Sequence, residues 1–253
     1  MLWAVRPGSE RPIIVDVDPP EVVVADEITC CPYIEGERAR LPLRLPLRSL
    51  RWAEWDRHLA AGDRRHGPVL YRPSCPGCAA CEAIRIDVPA FSFSRNHRRL
   101  LRRTGALVSV EVARPQLSAG RISLYEKHLE GRGLRLADHT PMTPARYRSF
   151  LVESCCDSIE LRYTLGDRIV GVAITDRGAR ALSAHYTYYD PELEHLGLGT
   201  FSILTQIELC RRWGLDHLYL GLYIEQNASM RYKARFRPHE RLLRGQWRPF
   251  PRE

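Results

Sequence analysis

The sequence lacks any long apolar run: none of its 253 residues sit in a stretch approaching the roughly 18 consecutive apolar residues of a membrane-crossing helix, so no such helix is expected. The opening "MLWAVRPGSERPIIVD" has only a short apolar piece before Arg6 and Pro7, too little for a secretory core, and the chain reads as cytoplasmic. Lysine is almost missing, with Lys127 and Lys233 alone among 38 cations set against 30 acids. Arginine therefore carries the net charge of +8 and the pI near 9.2, which favours a polyanionic partner. No internal repeat or low-complexity tract is present. A reducing compartment also excludes a disulfide framework for the eight cysteines, which leaves thiols or metal ligands.

What is present begins with "YRPSCPGCAACEAIRIDVPAFSFSRNHRRLLRRTGAL", residues 71–107. Cys75, Cys78 and Cys81 repeat every three residues, and Pro76 and Gly77 supply a tight turn. Three thiolates leave a tetrahedral centre one ligand short, and Cys30 or Cys31 is the natural source of the fourth. Zinc and an iron–sulfur cluster use the same donor set, so both stay open. Residues 1–93, loop-rich and proline-punctuated, read as a small cysteine-rich, metal-braced domain. The cationic run that follows contains no acid: Arg95, Arg98, Arg99 and Arg102 fall on one helical face and suit a phosphate backbone.

From there the pattern predicts a helix over 94–105 with Ser94 as cap and Gly105 as stop, a strand at "ALVSVEVARP", and two helices, the second opened by Thr143 and Pro144. An antiparallel meander of three strands follows, then a helix entered through Gly197 and Gly199, a buried strand, a short helix at "NASMRYKARF" and one last strand at "HERLLRGQW". This order over 94–253 resembles the GNAT acyltransferase fold, so the expectation is an α+β protein with a GNAT-like domain after the cysteine-rich one. Gly197, Gly199 and Thr200 stand where exposed backbone N–H groups meet phosphate in such folds. Tyr186, Tyr188 and Asp190 end the third meander strand and, with Tyr219 and Tyr223 across from it, are candidates to line an acyl site and relay protons. Leu198, Phe201 and Leu222 are candidate apolar walls for a donated side chain, with Glu192, Glu194 and Glu225 as candidate carboxylates.

The cysteine–arginine stretch, together with "LSAHYTYYDPELEHLGLGTFSILTQIE", "LYLGLYI" and "MRYKARFRPHE", resembles the arginyl-tRNA–protein transferase family, closest to its bacterial aspartate/glutamate leucyltransferase branch. The resemblance implies transfer of an aminoacyl group from tRNA to the N-terminal amine of a protein beginning with Asp or Glu, as a degradation signal. It implies aminoacyl-tRNA contact at Arg95, Arg98, Arg99, Arg102, Gly197, Gly199 and Thr200, and acceptor contact at Arg72, Tyr232, Lys233 and Arg235, where a cation suits either the acceptor's acidic side chain or a terminal phosphate of the tRNA. Leucine is the expected donor, arginine the alternative, and no coenzyme A is required. The family usually carries a cysteine near Asn227 or Ala228, which this sequence lacks. Rival readings are a coenzyme A-dependent N-acetyltransferase, which leaves the arginine helix unexplained, and a non-catalytic RNA-binding metal protein, which leaves the acyl cleft unused.

Overall fold

The computed structural model describes residues 13–135 and 140–252, so residues 1–12 of the expected N-terminal domain lie outside the described residues. The chain begins with β1 (Ile14–Val15), β2 (Glu21–Ala25), β3 (Ile28–Cys30), β4 (Arg38–Arg40) and β5 (Leu43–Pro46), followed by α1 (Trp52–Ala60), β6 (Arg64–His66) and β7 (Val69–Tyr71). Next come β8 (Glu82–Asp87), α2 (Arg95–Gly105), β9 (Val108–Ala113), α3 (Ala119–Gly131) and α4 (Pro144–Tyr147). The meander is β10 (Ser158–Leu165), β11 (Arg168–Arg177) and β12 (Ala181–Tyr189). The chain then runs through α5 (Leu198–Arg212), β13 (His217–Tyr223), α6 (Ala228–Arg231), β14 (His239–Leu243) and β15 (Gln246–Phe250).

Local chemistry sets most of these ends. The Ser94 hydroxyl accepts from the His97 N–H, and the Thr143 hydroxyl caps α4 with Pro144 in its first turn. Gly166, at φ +59°, makes the two-residue turn between β10 and β11. "HERLLRGQW" departs from expectation: Arg244 and Gly245 both take positive φ, and the segment folds back as the β14–β15 hairpin instead of one strand.

The described residues mix helices with two main sheets, an α+β architecture. One sheet is antiparallel in the order β1-β2-β5-β7-β6, with β3 and β4 as a separate ribbon. The other has eight strands in the order β15-β14-β8-β13-β12-β11-β10-β9. Strand β8 lies before residue 93 in sequence, yet it sits inside this larger sheet, antiparallel to both β13 and β14. Alternating side chains on β11 divide the core: Ala173 packs beneath α5 with Leu204 and Ile207, while Val172 and Ile174 pack beneath α3 with Leu124 and Tyr147. No helix among the described residues is long and apolar enough to cross a membrane.

One pairing shapes everything that follows. β12 and β13 are parallel and bonded only over Ala181–Ser183 and His217–Tyr219, after which both strands continue without pairing to each other. A wedge opens in the middle of the sheet.

Candidate functional site at the strand splay

Splaying two strands leaves backbone carbonyls without their ladder partners, and buried carbonyls require donors. Here the donors are cations. Arg64, from β6, gives Nη2–H to the Ala184 carbonyl at 3.2 Å and Nη1–H to the Ser183 hydroxyl at 2.9 Å. From the other side, Lys233 gives its Nζ to the Leu222 carbonyl at 2.7 Å. Gly221, at φ +88°, makes room, since a Cβ there would lie 3.1 Å from Arg64 Nη2. Burial, then the Arg64 charge, pulls the Lys233 ammonium down to about 7.

The open end of the wedge faces the start of α5. Gly197 there is left-handed, at φ +61°, and packs on Leu100 of α2, while a Cβ at Gly199 would lie 3.2 Å from the Tyr189 hydroxyl. Helix α2 is anchored to this corner: the Thr104 hydroxyl donates to the Leu196 carbonyl at 2.8 Å, and Arg103 Nη2 to the His195 carbonyl at 2.7 Å. Arg95, Arg98, Arg99 and Arg102 all stand exposed on it with no ion pair among the described residues. The helix that carries the basic face is thus joined to the glycine turn, where Thr200 is exposed.

Several expected site residues lie elsewhere. Tyr186 and Tyr188 point away from α5 into the packing under α3 and α4, because the face of β12 that carries them is covered there. Tyr188 is fully buried with its hydroxyl 2.5 Å from that of Tyr147, and Tyr186 packs on Tyr125 and Phe150. Burial pushes both phenols far above the ordinary tyrosine range. Asp190 is likewise buried. It pairs with Lys127 at 2.8 Å and Arg168 at 3.1 Å and accepts the Glu192 N–H, a structural role. Tyr223 lies under the Arg241 guanidinium, and the Tyr219 hydroxyl accepts from Arg85. Leu198 and Phe201 belong to the core below α5, not to the wall of an open pocket. Of the expected acceptor residues, Lys233 is in the wedge, Tyr232 and Arg235 are exposed beside it, and Arg72 is tied to Asp63 at 2.9 Å.

Arg72 also lines a second pocket, of about 290 Å³, that gathers four sulfurs: Cys31, Cys75, Cys78 and Cys81. Burial, then the neighbouring Cys75, Cys31 and Cys78, push the Cys81 thiol up to about 12, a crowding that a bound cation relieves by taking thiolates. Cys30 ends β3 exposed and is not among the residues that line the pocket, so it drops out. The donor set therefore fits a four-thiolate centre in number and kind. As the side chains stand, no three His, Cys, Asp or Glu among the described residues form a metal-holding group. Cys155, Cys156 and Cys210 are buried elsewhere in the core.

Arg64 was not expected from the sequence. Its only signal there is "GDRRHG", two cations between glycines with one acid nearby.

Known proteins resemble this chain over most of its length. The model described as arginine-tRNA-protein transferase, N terminus, matches residues 29–99, and the one described as its C terminus matches residues 120–243. Proteins named aspartate/glutamate leucyltransferase are similar over most of the chain. That of Halorhodospira halophila is 40% identical, covering 83% of this chain and 89% of its own. That of Alkalilimnicola ehrlichii is 39% identical, covering 86% and 90%. Among solved structures, the C-terminal domain of a protein described as a lysylphosphatidylglycerol synthetase, from Agrobacterium fabrum, superposes with a TM-score of 0.50 at 14% identity, over 67% of this chain and 58% of that one. That likeness is one of fold alone.

Proposed function

Since the chain belongs to the arginine-tRNA-protein transferase family and is an aminoacyl-tRNA–protein transferase, we propose that it moves leucine from tRNA to the N-terminal amine of cytoplasmic proteins beginning with Asp or Glu, marking them for degradation. The names of its relatives support the donor and the acceptor. The observation that carries the reading is the junction of the bare arginine face of α2 with the wedge between β12 and β13. In a GNAT-like reading of the fold, that wedge admits the acyl carrier.

The ester of an aminoacyl-tRNA is already activated, so holding the amine against it supplies much of the rate, and no covalent enzyme intermediate is needed. The tRNA backbone lies along α2, with its 3′ end at the Gly197 turn, where the free N–H groups of α5 offer hydrogen bonds to negative charge. Cys31, Cys75, Cys78 and Cys81 would hold a structural zinc or iron–sulfur centre, which would brace the loop between β7 and β8. The amine of the acceptor enters between the strands.

Labelled leucine, arginine and phenylalanine on their tRNAs, and acetyl-CoA in a parallel reaction, are each incubated with peptides beginning with Asp, Glu or Ala. Leucine transfer to the Asp and Glu peptides is expected. Preferential arginine transfer overturns the donor, equal use of the Ala peptide overturns the acceptor, and acetylation without aminoacyl transfer overturns the reaction.

A further inference from the structure

Among the described residues the wedge holds two basic side chains and no carboxylate. Arg64 and Lys233 are each only 8% exposed, and neither has an ion pair among the described residues. The carboxylate that Arg64 feels most is Asp176, whose two oxygens are already taken by Arg65 and Ser158. A desolvated cation facing only neutral acceptors is costly unless something negative joins it. Both groups also keep donors in reserve. Arg64 spends two of its five N–H groups on Ser183 and Ala184, and Lys233 spends its own on the Leu222 carbonyl and the weakly accepting Met230 sulfur.

We propose that Arg64 and Lys233 together form the receptor for the side-chain carboxylate of the acceptor's first residue, and so set the preference for Asp and Glu; this rests on the transferase reading above. The pair reaches the site from two directions, Arg64 from the N-terminal sheet and Lys233 from the segment after β13, and each is held by a carbonyl that only the splay leaves free. Gly221 completes the seat, because any side chain there would press on the guanidinium. A carboxylate suits this place better than a phosphodiester. The cations lie between strands and are nearly covered, so a slender chain end with one side chain reaches them, whereas a phosphate flanked by two sugars suits the exposed face of α2. The bound carboxylate accepts a charged hydrogen bond from each cation and leaves the α-amine at the open end of the wedge, toward the Gly197 turn.

Two measurements test this on the parent protein, Lys233→Met and Arg64→Lys. Calorimetry without tRNA reads the affinity for peptides that differ only in a first residue of Asp or Asn, and transfer kinetics from leucyl-tRNA read kcat and KM for the same pair. The parent is expected to favour Asp, and Lys233→Met to lose roughly 10- to 100-fold in Asp-peptide affinity, appearing in KM, while the Asn peptide changes little. Arg64→Lys keeps a charge but not the fork, and is expected to fall between the two. A single cooperative melting transition and leucyl-tRNA binding equal to the parent's establish that Lys233→Met is folded. An unchanged Asp preference in both variants overturns the assignment. Weakened leucyl-tRNA binding with unchanged peptide affinity overturns it in favour of a tRNA phosphate. If the parent transfers nothing yet its Asp preference in binding disappears with Lys233, the receptor stands and the transferase reading falls.

Discussion

Arg65 and Asp176 meet as a two-pronged pair, Nε to Oδ2 and Nη2 to Oδ1 both at 2.7 Å, with each side chain about 1% exposed. The pair ties β6 of the smaller sheet to β11 of the larger one, and its neighbour Arg64 is carried into the wedge by the same short strand. Removing one partner leaves a buried charge alone. Arg65→Met is expected to destabilise the fold by about 3–5 kcal/mol in urea titration, and a change under about 1 kcal/mol would show that the two sheets do not depend on this link.

The arginine face of α2 predicts salt-dependent RNA binding. Replacing Arg98, Arg99 and Arg102 with alanine should lower the slope of log K against log salt by roughly one unit per lost phosphate contact, for leucyl-tRNA measured between low and physiological salt. These side chains are exposed, so the melting temperature should hardly move. An unchanged slope removes α2 from the RNA footprint.

The four-sulfur pocket predicts which cysteines matter. Cys31→Ser and Cys78→Ser should each release the metal and lower the melting temperature, since binding energy at such a centre is folding energy, while Cys30→Ser should keep both. Elemental analysis of protein purified without chelator reads this directly. Metal retained in Cys31→Ser and lost in Cys30→Ser would reverse the assignment.

Lys233 predicts a pH dependence of stability whose sign follows from its depressed proton affinity. Its ammonium titrates near 7 when folded against 10.5 for an ordinary lysine, so between these values the unfolded chain holds a proton that the folded chain has lost. Stability from this group therefore rises as pH goes from about 7 to 10.5, and below 7 the buried charge works against folding. Lys233→Met should relieve that opposition. Its melting temperature relative to the parent should be most favourable below pH 7 and decline toward pH 10, and a difference independent of pH would mean that Lys233 titrates normally.

Sequence by itself determined what depends on near neighbours. Ser94 and Gly105 bound α2, Thr143 and Pro144 open α4, and Gly166 turns β10 into β11, because caps and turns are settled within a few residues. The acid-free arginine run and the cysteine spacing were legible for the same reason. Tertiary structure alone decided the rest. Alternation shows that Tyr186 and Tyr188 share a face of β12 but not that α3 and α4 cover it, and the spacing offers Cys30 and Cys31 alike but not which one meets Cys81. Nor does any local pattern send β8 between β13 and β14, or part β12 from β13 after three residue pairs. The pairings of β8 join segments more than a hundred residues apart, and together with the splay of β12 from β13 they bury Arg64 and Lys233 in the same wedge.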